Sequence, residues 1–404
     1  KRSNISWSPN QKRIALTNTT ETGVELWVLE LENGSVTKLT EPNLNSNIGS
    51  VINWFADSEN MLVKMISNNR KSLIDTNQIV PDGPTISTNF GEKAQNRTYQ
   101  DLLKNKFDEH NFEQLSTSAI FKVSIDGSVK KWMDDGMYRT ISFSPNGEYV
   151  MISQINKPFS YLVTYSRFPT ETNVYSKDGN FISNLLNVPL IEELPKGFMS
   201  VRTGKRSFSW RPDKGASLTY VTALDSGDPS KKVDFRDEVY ELNYPFLGQG
   251  KFILKTINRF SGIDWGTKDM AIAYDTWWNT RNRKSYVFNP SNPNIKPKII
   301  SDRNYQDTYS DPGVFLRSRN EFNRSVLKMH YGNVFLRGQG FSPNGQFPFI
   351  DKVNTKTFEK NRVYQSSYTD KIESIIDYDP KKNQLTVSIE SPSEYPNYLS
   401  LIHI

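Results

Sequence analysis

Short apolar runs recur along the chain, each meeting a large ring and then breaking at a turn. The first reads Ile5-Ser6-Trp7-Ser8-Pro9-Asn10. The pattern returns as Ile52-Asn53-Trp54-Phe55-Ala56-Asp57, Ile141-Ser142-Phe143-Ser144-Pro145-Asn146-Gly147, Phe208-Ser209-Trp210-Arg211-Pro212-Asp213, Ile263-Asp264-Trp265-Gly266 and Ile376-Asp377-Tyr378-Asp379-Pro380. A second β-branched or aromatic run follows each copy, as in Arg13-Ile14-Ala15-Leu16 and Tyr149-Val150-Met151-Ile152. Proline fixes φ at the turn entry, and Asn, Asp or Gly accepts the conformations that follow, so each copy predicts a hairpin. One hairpin cannot bury its ring alone, which predicts that the copies stack.

Most copies are followed by another hairpin. Val24–Leu31 alternates, turns at Glu32-Asn33-Gly34-Ser35 and resumes at Val36-Thr37-Lys38-Leu39. Four strands per unit, repeated, predict an all-β fold, a seven-bladed β-propeller with four-stranded blades. The anchor rings stand at 7, 54, 143, 210, 265 and 378, and the last gap is long enough to hold one divergent unit. The expected blades cover 1–45, 46–134, 135–190, 191–258, 259–303, 304–368 and 369–404, one propeller over 1–404. The second gap holds the most helix-like stretch of the chain, Thr98–Phe107, which predicts a helical insertion near 90–116. A β-sandwich would not repeat one anchor six times, and a β-helix would repeat at a shorter period.

Composition narrows the function. Aromatic residues are 12% of the chain and suit half-buried strands. A net charge of +6, with basic and acidic residues alternating, offers no run that calls for nucleic acid. There is no cysteine, hence no disulfide and no thiol nucleophile. No apolar run reaches the roughly 18 residues of a membrane span. The three histidines, His110, His330 and His403, stand in unrelated contexts, so no histidine metal site and no cofactor is expected. No Gly-x-Ser-x-Gly elbow, Walker loop or dinucleotide fingerprint is present, and no catalytic residue is assigned. Gly338-Gln339-Gly340 reads as a turn, and the pairs Asp134-Asp135 and Glu192-Glu193 carry no mark of glycosidase chemistry.

Two basic clusters stand out. Val201-Arg202-Thr203-Gly204-Lys205-Arg206-Ser207 precedes an anchor strand, and Trp277-Trp278-Asn279-Thr280-Arg281-Asn282-Arg283 mixes aromatic rings with guanidinium groups. Arginine grips a carboxylate through two parallel hydrogen bonds, so Arg202, Arg206 and Arg281 are the candidate substrate-binding residues. The alternative is a solvated loop with an arginine stacked on tryptophan.

Several stretches together resemble the propeller part of the glutamyl endopeptidases, serine peptidases of the prolyl oligopeptidase family. They are Thr98–Lys104, Arg167-Phe168-Pro169, Ser200–Ser207 running into Trp210–Lys214, Asp307–Gly313 and Pro348-Phe349-Ile350-Asp351, in that order. The resemblance implies a parent enzyme in which the propeller caps an α/β-hydrolase domain bearing Ser, Asp and His and cleaving after glutamate. That hydrolase domain is the implied partner, and a peptide the implied substrate. No triad residue carries over, because the family's hydrolase domain follows a Tyr-Pro segment like Glu394-Tyr395-Pro396-Asn397-Tyr398 and no matching positions come after it here. The expected role is non-catalytic gating of substrate in a periplasmic or secreted peptidase; the alternative is a free-standing propeller that binds a protein or a glycan.

Overall fold

The turn motif closes its hairpin through one hydrogen-bond pattern. The Ser8 hydroxyl donates to Asn10 Oδ1 (2.8 Å) and accepts from the Arg13 amide (3.0 Å), while Asn10 Oδ1 also accepts from the Lys12 amide. Ser144 repeats this with Asn146 (2.7 Å) and the Tyr149 amide (3.0 Å). Both serines are buried, so the hydroxyl satisfies backbone that water does not reach. The motif is thus a polar clasp as well as a bend.

The chain is described here from a computed structural model that covers residues 2–75, 83 and 99–402. It divides into two compact units. One is built mainly from residues up to Gly197, with Lys214–Leu218 and Leu242–Gly250. The other comprises Phe198–Asp213, Thr219–Glu241 and the residues from Lys251 on.

In the first unit, Arg2–Trp7, Arg13–Thr19, Val24–Glu30 and Val36–Lys38 form an antiparallel meander. A seven-stranded sheet follows, from Ile52–Trp54 to Phe181–Val188, each strand beside its neighbour in sequence. Its middle strand, Val129–Phe143, pairs with Ser118–Ser124 as far as Gly136 and with Tyr149–Ile155 from Met137 on. Ala15, Leu26 and Val28 of the meander pack with Trp54, Met61 and Val63 of the next sheet. Within the larger sheet Phe55 and Leu62 meet Ile141, Phe143 and Val150, with the Phe55 and Phe143 rings 4.7 Å apart.

The second unit continues the series. Arg259–Thr267, Met270–Trp277, Asn282–Phe288 and Lys298–Asn304 form a four-stranded meander, preceded by the sheet Arg206–Trp210, Ser217–Ala223, Asp237–Asn243 and Lys251–Thr256. Val314–Phe315, Asn333–Gly338, Phe349–Asn354 and Lys360–Gln365 come next, with Met329–His330 attached to the second of them. Ile372–Asp379, Gln384–Ser391 and Glu394–Ile402 make a three-stranded sheet. The anchor rings do what the pattern predicts: Trp265 packs on Val221, Val239 and Ile253 of the preceding sheet, and Tyr378 meets Phe335 at 5.3 Å. Trp7 is the exception and is 54% exposed.

The fold is all-β, in a β-propeller arrangement. Counted as sheets of four or more strands, it has five blade units rather than the seven expected. Two things lower the count. Val129–Phe143 runs unbroken through what the spacing divides into separate units, and the closing sheet has three strands.

The helix falls inside the expected 90–116 insertion but begins later than the stretch that suggested it. Tyr99–Lys104 is not helical, and Thr98 with 90–97 lies outside the described residues. An α-helix spans Lys106–Ser116 instead. Asn105 is extended, and its side chain accepts from the amides of Phe107 and Asp108 (2.9 Å each), which fixes the start of the helix after the apolar run. Tyr99, Leu103 and Phe112 pack against Phe159 and Phe168, and the Arg167 guanidinium lies over the Tyr99 ring at 5.7 Å.

Candidate functional site

Of the three arginines singled out in the sequence, Arg202 and Arg206 are neighbours, and Arg281 makes contacts of its own. The Arg202 guanidinium donates to the carbonyls of Thr203 (2.9 Å) and Lys205, folding back on its own loop. Burial, and then the neighbouring charge of Arg206, lower its pKa. Arg206 pairs with Asp237, whose side chain is fully buried. Arg259 bridges Asp237 (3.1 Å) and Asp225 (2.7 Å), and Arg236 also pairs with Asp225 (2.8 Å), giving three arginines on two buried carboxylates. Arg281 stacks over Trp278 at 3.7 Å and donates to its carbonyl (2.7 Å), the stacked arrangement weighed as the alternative. Its φ of +54° places it in the hairpin turn, off the face of the strand that follows.

A cationic cavity lies elsewhere in the second unit, with a volume of about 740 Å³. Four arginines, Arg283, Arg303, Arg317 and Arg337, line it against three aspartates, Asp264, Asp311 and Asp377. Strand pairing sets the first two side by side: Arg283 and Arg303 are direct partners on adjacent strands, and so share one face of the sheet. Tyr274 and Ser285, also paired with each other, lie on that face too.

Each aspartate of the cavity is already engaged. Asp264 accepts from the Tyr274 hydroxyl (2.8 Å) and pairs with Arg317. Asp311 pairs with Arg303 at 2.9 Å and accepts the Gly313 amide. Asp377 pairs with Lys328 at 2.7 Å. Burial, with Asp264 next in effect, pushes the Tyr274 hydroxyl well above its usual range, so it acts as a donor throughout the physiological range.

Two guanidinium groups are left without a carboxylate among the described residues. Arg283 lies over the Tyr274 ring at 4.8 Å and is exposed. Arg337 donates one nitrogen to the carbonyls of Ile375 (2.9 Å) and Ile376 (3.3 Å), which leaves its other donors for a ligand. Chemically the cavity is an anion acceptor. Among the described residues no group of His, Asp and Glu is arranged to hold a metal ion. No helix of the described residues is long and apolar enough to cross a membrane.

Sequence reasoning missed these arginines because it looked for cations adjacent in the chain. Arg283, Arg303 and Arg337 are separated in sequence and meet through strand pairing and sheet order. No local signal marks them, since Arg283 and Arg303 lie on paired strands of one sheet and Arg337 on another.

The fold thus belongs to the class of β-propellers, here with an arginine-lined cavity in its second unit. The chain is a homologue of proteins named glutamyl endopeptidases. It is 34% identical over 389 residues to the "Probable glutamyl endopeptidase, chloroplastic" of Oryza sativa subsp. japonica, and 31% identical to the protein of the same name from Arabidopsis thaliana. Both alignments cover 92% of this chain, and the chain spans 41% and 40% of those relatives. The relatives are named as chloroplastic, a compartment other than the periplasmic or secreted one expected from the sequence. No protein-family model matches the chain. A structure from a study of two prolyl endopeptidases overlaps 96% of this chain and 46% of its own, at 11% identity and a TM-score of 0.45. The β-propeller domain of the Trilobed protease from Pyrococcus furiosus overlaps 100% and 95%, at 10% identity and a TM-score of 0.41. At those scores neither superposition carries an argument.

Proposed function

We propose that this chain is the non-catalytic propeller of a serine peptidase that cleaves after glutamate, and that it restricts which peptides reach an α/β-hydrolase domain. The observation that carries the reading is the 34% identity to a glutamyl endopeptidase sustained over 92% of the chain. The cationic cavity supports it, since a field of that sign favours approach of acidic peptides. In this reading Arg202, Arg206 and Arg281 are secondary contacts for an acidic peptide. Alanine variants of the whole peptidase are expected to lose rate selectively on acidic peptides, and equal loss on neutral ones assigns these residues to structure. The seven-unit count belongs here as well, and is reached if Val129–Phe143 is divided between Gly136 and Met137, where its pairing changes partner, and the three-stranded closing sheet is counted as a unit. With no cysteine, folding in an exported or in a plastid compartment is chemically equivalent for this chain.

The test is expression of the chain joined to the hydrolase-coding region of its parent gene, assayed on fluorogenic peptides with glutamate before the scissile bond. Activity that the 404-residue chain alone lacks is the expected result; none from the joined protein removes the proposal. A second reading, a propeller that binds a partner without any hydrolase, is favoured by the cavity itself. It predicts ligand binding that is unchanged when the hydrolase region is added.

A further inference from the structure

The geometry points to Arg283 and Arg337 as a carboxylate-binding subsite, one that takes either an acidic side chain of a peptide or its free C-terminal carboxylate. The inference rests on the reading above that peptides reach this propeller, and it names the contact they make. Three observations converge on it.

The cavity's own carboxylates are spoken for. Asp264, Asp311 and Asp377 are each held by Arg317, Arg303 and Lys328 respectively, leaving Arg283 and Arg337 as the cations without an acidic partner among the described residues. A net positive cavity of about 740 Å³ has room for a side chain and its hydration.

The placement of Arg283 favours a bound anion, because Arg283 has no carboxylate of its own among the described residues while Arg303 across from it is held by Asp311. One position along, Lys284 faces Asp302 and forms an ion pair at 2.5 Å, so the same two strands build the favourable arrangement next door. An anion seated beside Arg283 supplies the missing counter-charge.

The group is also pre-oriented. Arg283 lies on the Tyr274 ring, and Tyr274 is fixed by its hydroxyl to buried Asp264. Arg337 is fixed at one nitrogen by two carbonyls. A planar guanidinium held on one side keeps its remaining donors aligned for a carboxylate and loses little entropy on binding.

The test uses the full 404-residue chain, titrated by calorimetry with three short peptides. The first has an internal glutamate and both ends capped, the second has a free C-terminus and no acidic side chain, and the third is capped and neutral. One or both carboxylate peptides should bind, the stronger of them identifying the source of the carboxylate, and the neutral one should bind at least tenfold more weakly. Arg283→Gln and Arg337→Gln should each weaken the preferred peptide about tenfold, while Lys352→Gln, which removes an exposed cation outside the cavity, should not. Without peptide, Arg283→Gln should leave the Tm nearly unchanged, because the side chain is exposed and pairs with no carboxylate among the described residues. Equal binding of all three peptides, unchanged affinity in both cavity variants, or a fall in Tm for Arg283→Gln without peptide overturns the inference. Failure of the peptidase assay on the joined protein would instead count against the peptidase reading, so the two failures are distinguishable.

Discussion

The guanidinium of Arg211 lies over the ring of Trp265, 3.9 Å from its centroid, and the two residues come from successive copies of the repeated turn motif. Two other copies place serine, Ser8 and Ser144, where Arg211 stands. Here the arginine is 1% exposed and makes ion pairs with half-buried Asp213 (2.6 Å) and buried Glu241 (3.0 Å). A local clasp has been replaced by a link between neighbouring sheets.

Arg211→Ser, although it introduces the serine of the first and third copies, should destabilise the protein by about 3 kcal/mol, because it removes the buried cation that pairs with Glu241 and Asp213 and stacks on Trp265. Urea unfolding followed by tryptophan fluorescence reads this. A change under 1 kcal/mol would mean the carboxylates find other partners.

Ser144→Ala should cost about 1–2 kcal/mol. It removes the hydroxyl that donates to Asn146 and accepts from the Tyr149 amide in a water-free turn. Amide hydrogen exchange at Tyr149 should accelerate before global unfolding does. Unchanged exchange would show that the clasp is dispensable.

Arg206 and Arg281 should separate in a stability assay. Arg206→Ala removes one of the two arginines on buried Asp237, the other being Arg259, and should cost about 2 kcal/mol. Arg281→Ala loses a stacked contact at a turn and should cost under about 1 kcal/mol. Thermal melts of the two variants decide this, and equal costs would contradict the burial seen for Asp237.

Lys64 gives the first unit an alkaline signature. It is 2% exposed, it donates to the carbonyls of Ile48 and Tyr138, and burial pushes its pKa down to about 8. Between that value and the ordinary value of 10.5, the unfolded chain holds a proton that the folded chain has released. Stability contributed by this group therefore rises as pH climbs from about 8 to about 10.5, and is flat below that window. Lys64→Met should abolish the rise. Urea midpoints at pH 7.5, 9 and 10 check it, and the same slope in the variant would place its origin elsewhere.

Much of the architecture was legible because the information is local. A ring, a buried serine and an asparagine within a few residues state both the turn and the face to be covered, and Trp54, Phe143, Trp265 and Tyr378 are buried as that pattern requires. The helical insertion was placed correctly within 90–116, but its start was not legible, because apolar content in Tyr99–Leu103 resembles a helix while the capping geometry of Asn105 decides where one begins. The blade count failed at Val129–Phe143, where composition gives no sign that one strand will serve two sets of partners. The cavity was not legible at all. Its arginines are set by pairing register over long sequence separations, and the conspicuous clusters at Arg202–Arg206 and Arg281 are consumed by local carbonyls, a buried aspartate and a tryptophan ring.

The shared strand has a mechanical consequence. At most seams between repeated sheets a connecting loop can flex, so neighbours are free to part there. Between Gly136 and Met137 there is no loop: tension applied to the hairpin before the seam passes along a hydrogen-bonded ribbon into the one after it. A Cβ at Gly136 would come within 2.8 Å of the Tyr138 ring, so the joint is also tight to substitution. If the structure breathes to admit a large ligand, this seam acts as a splint, and the opening takes place elsewhere.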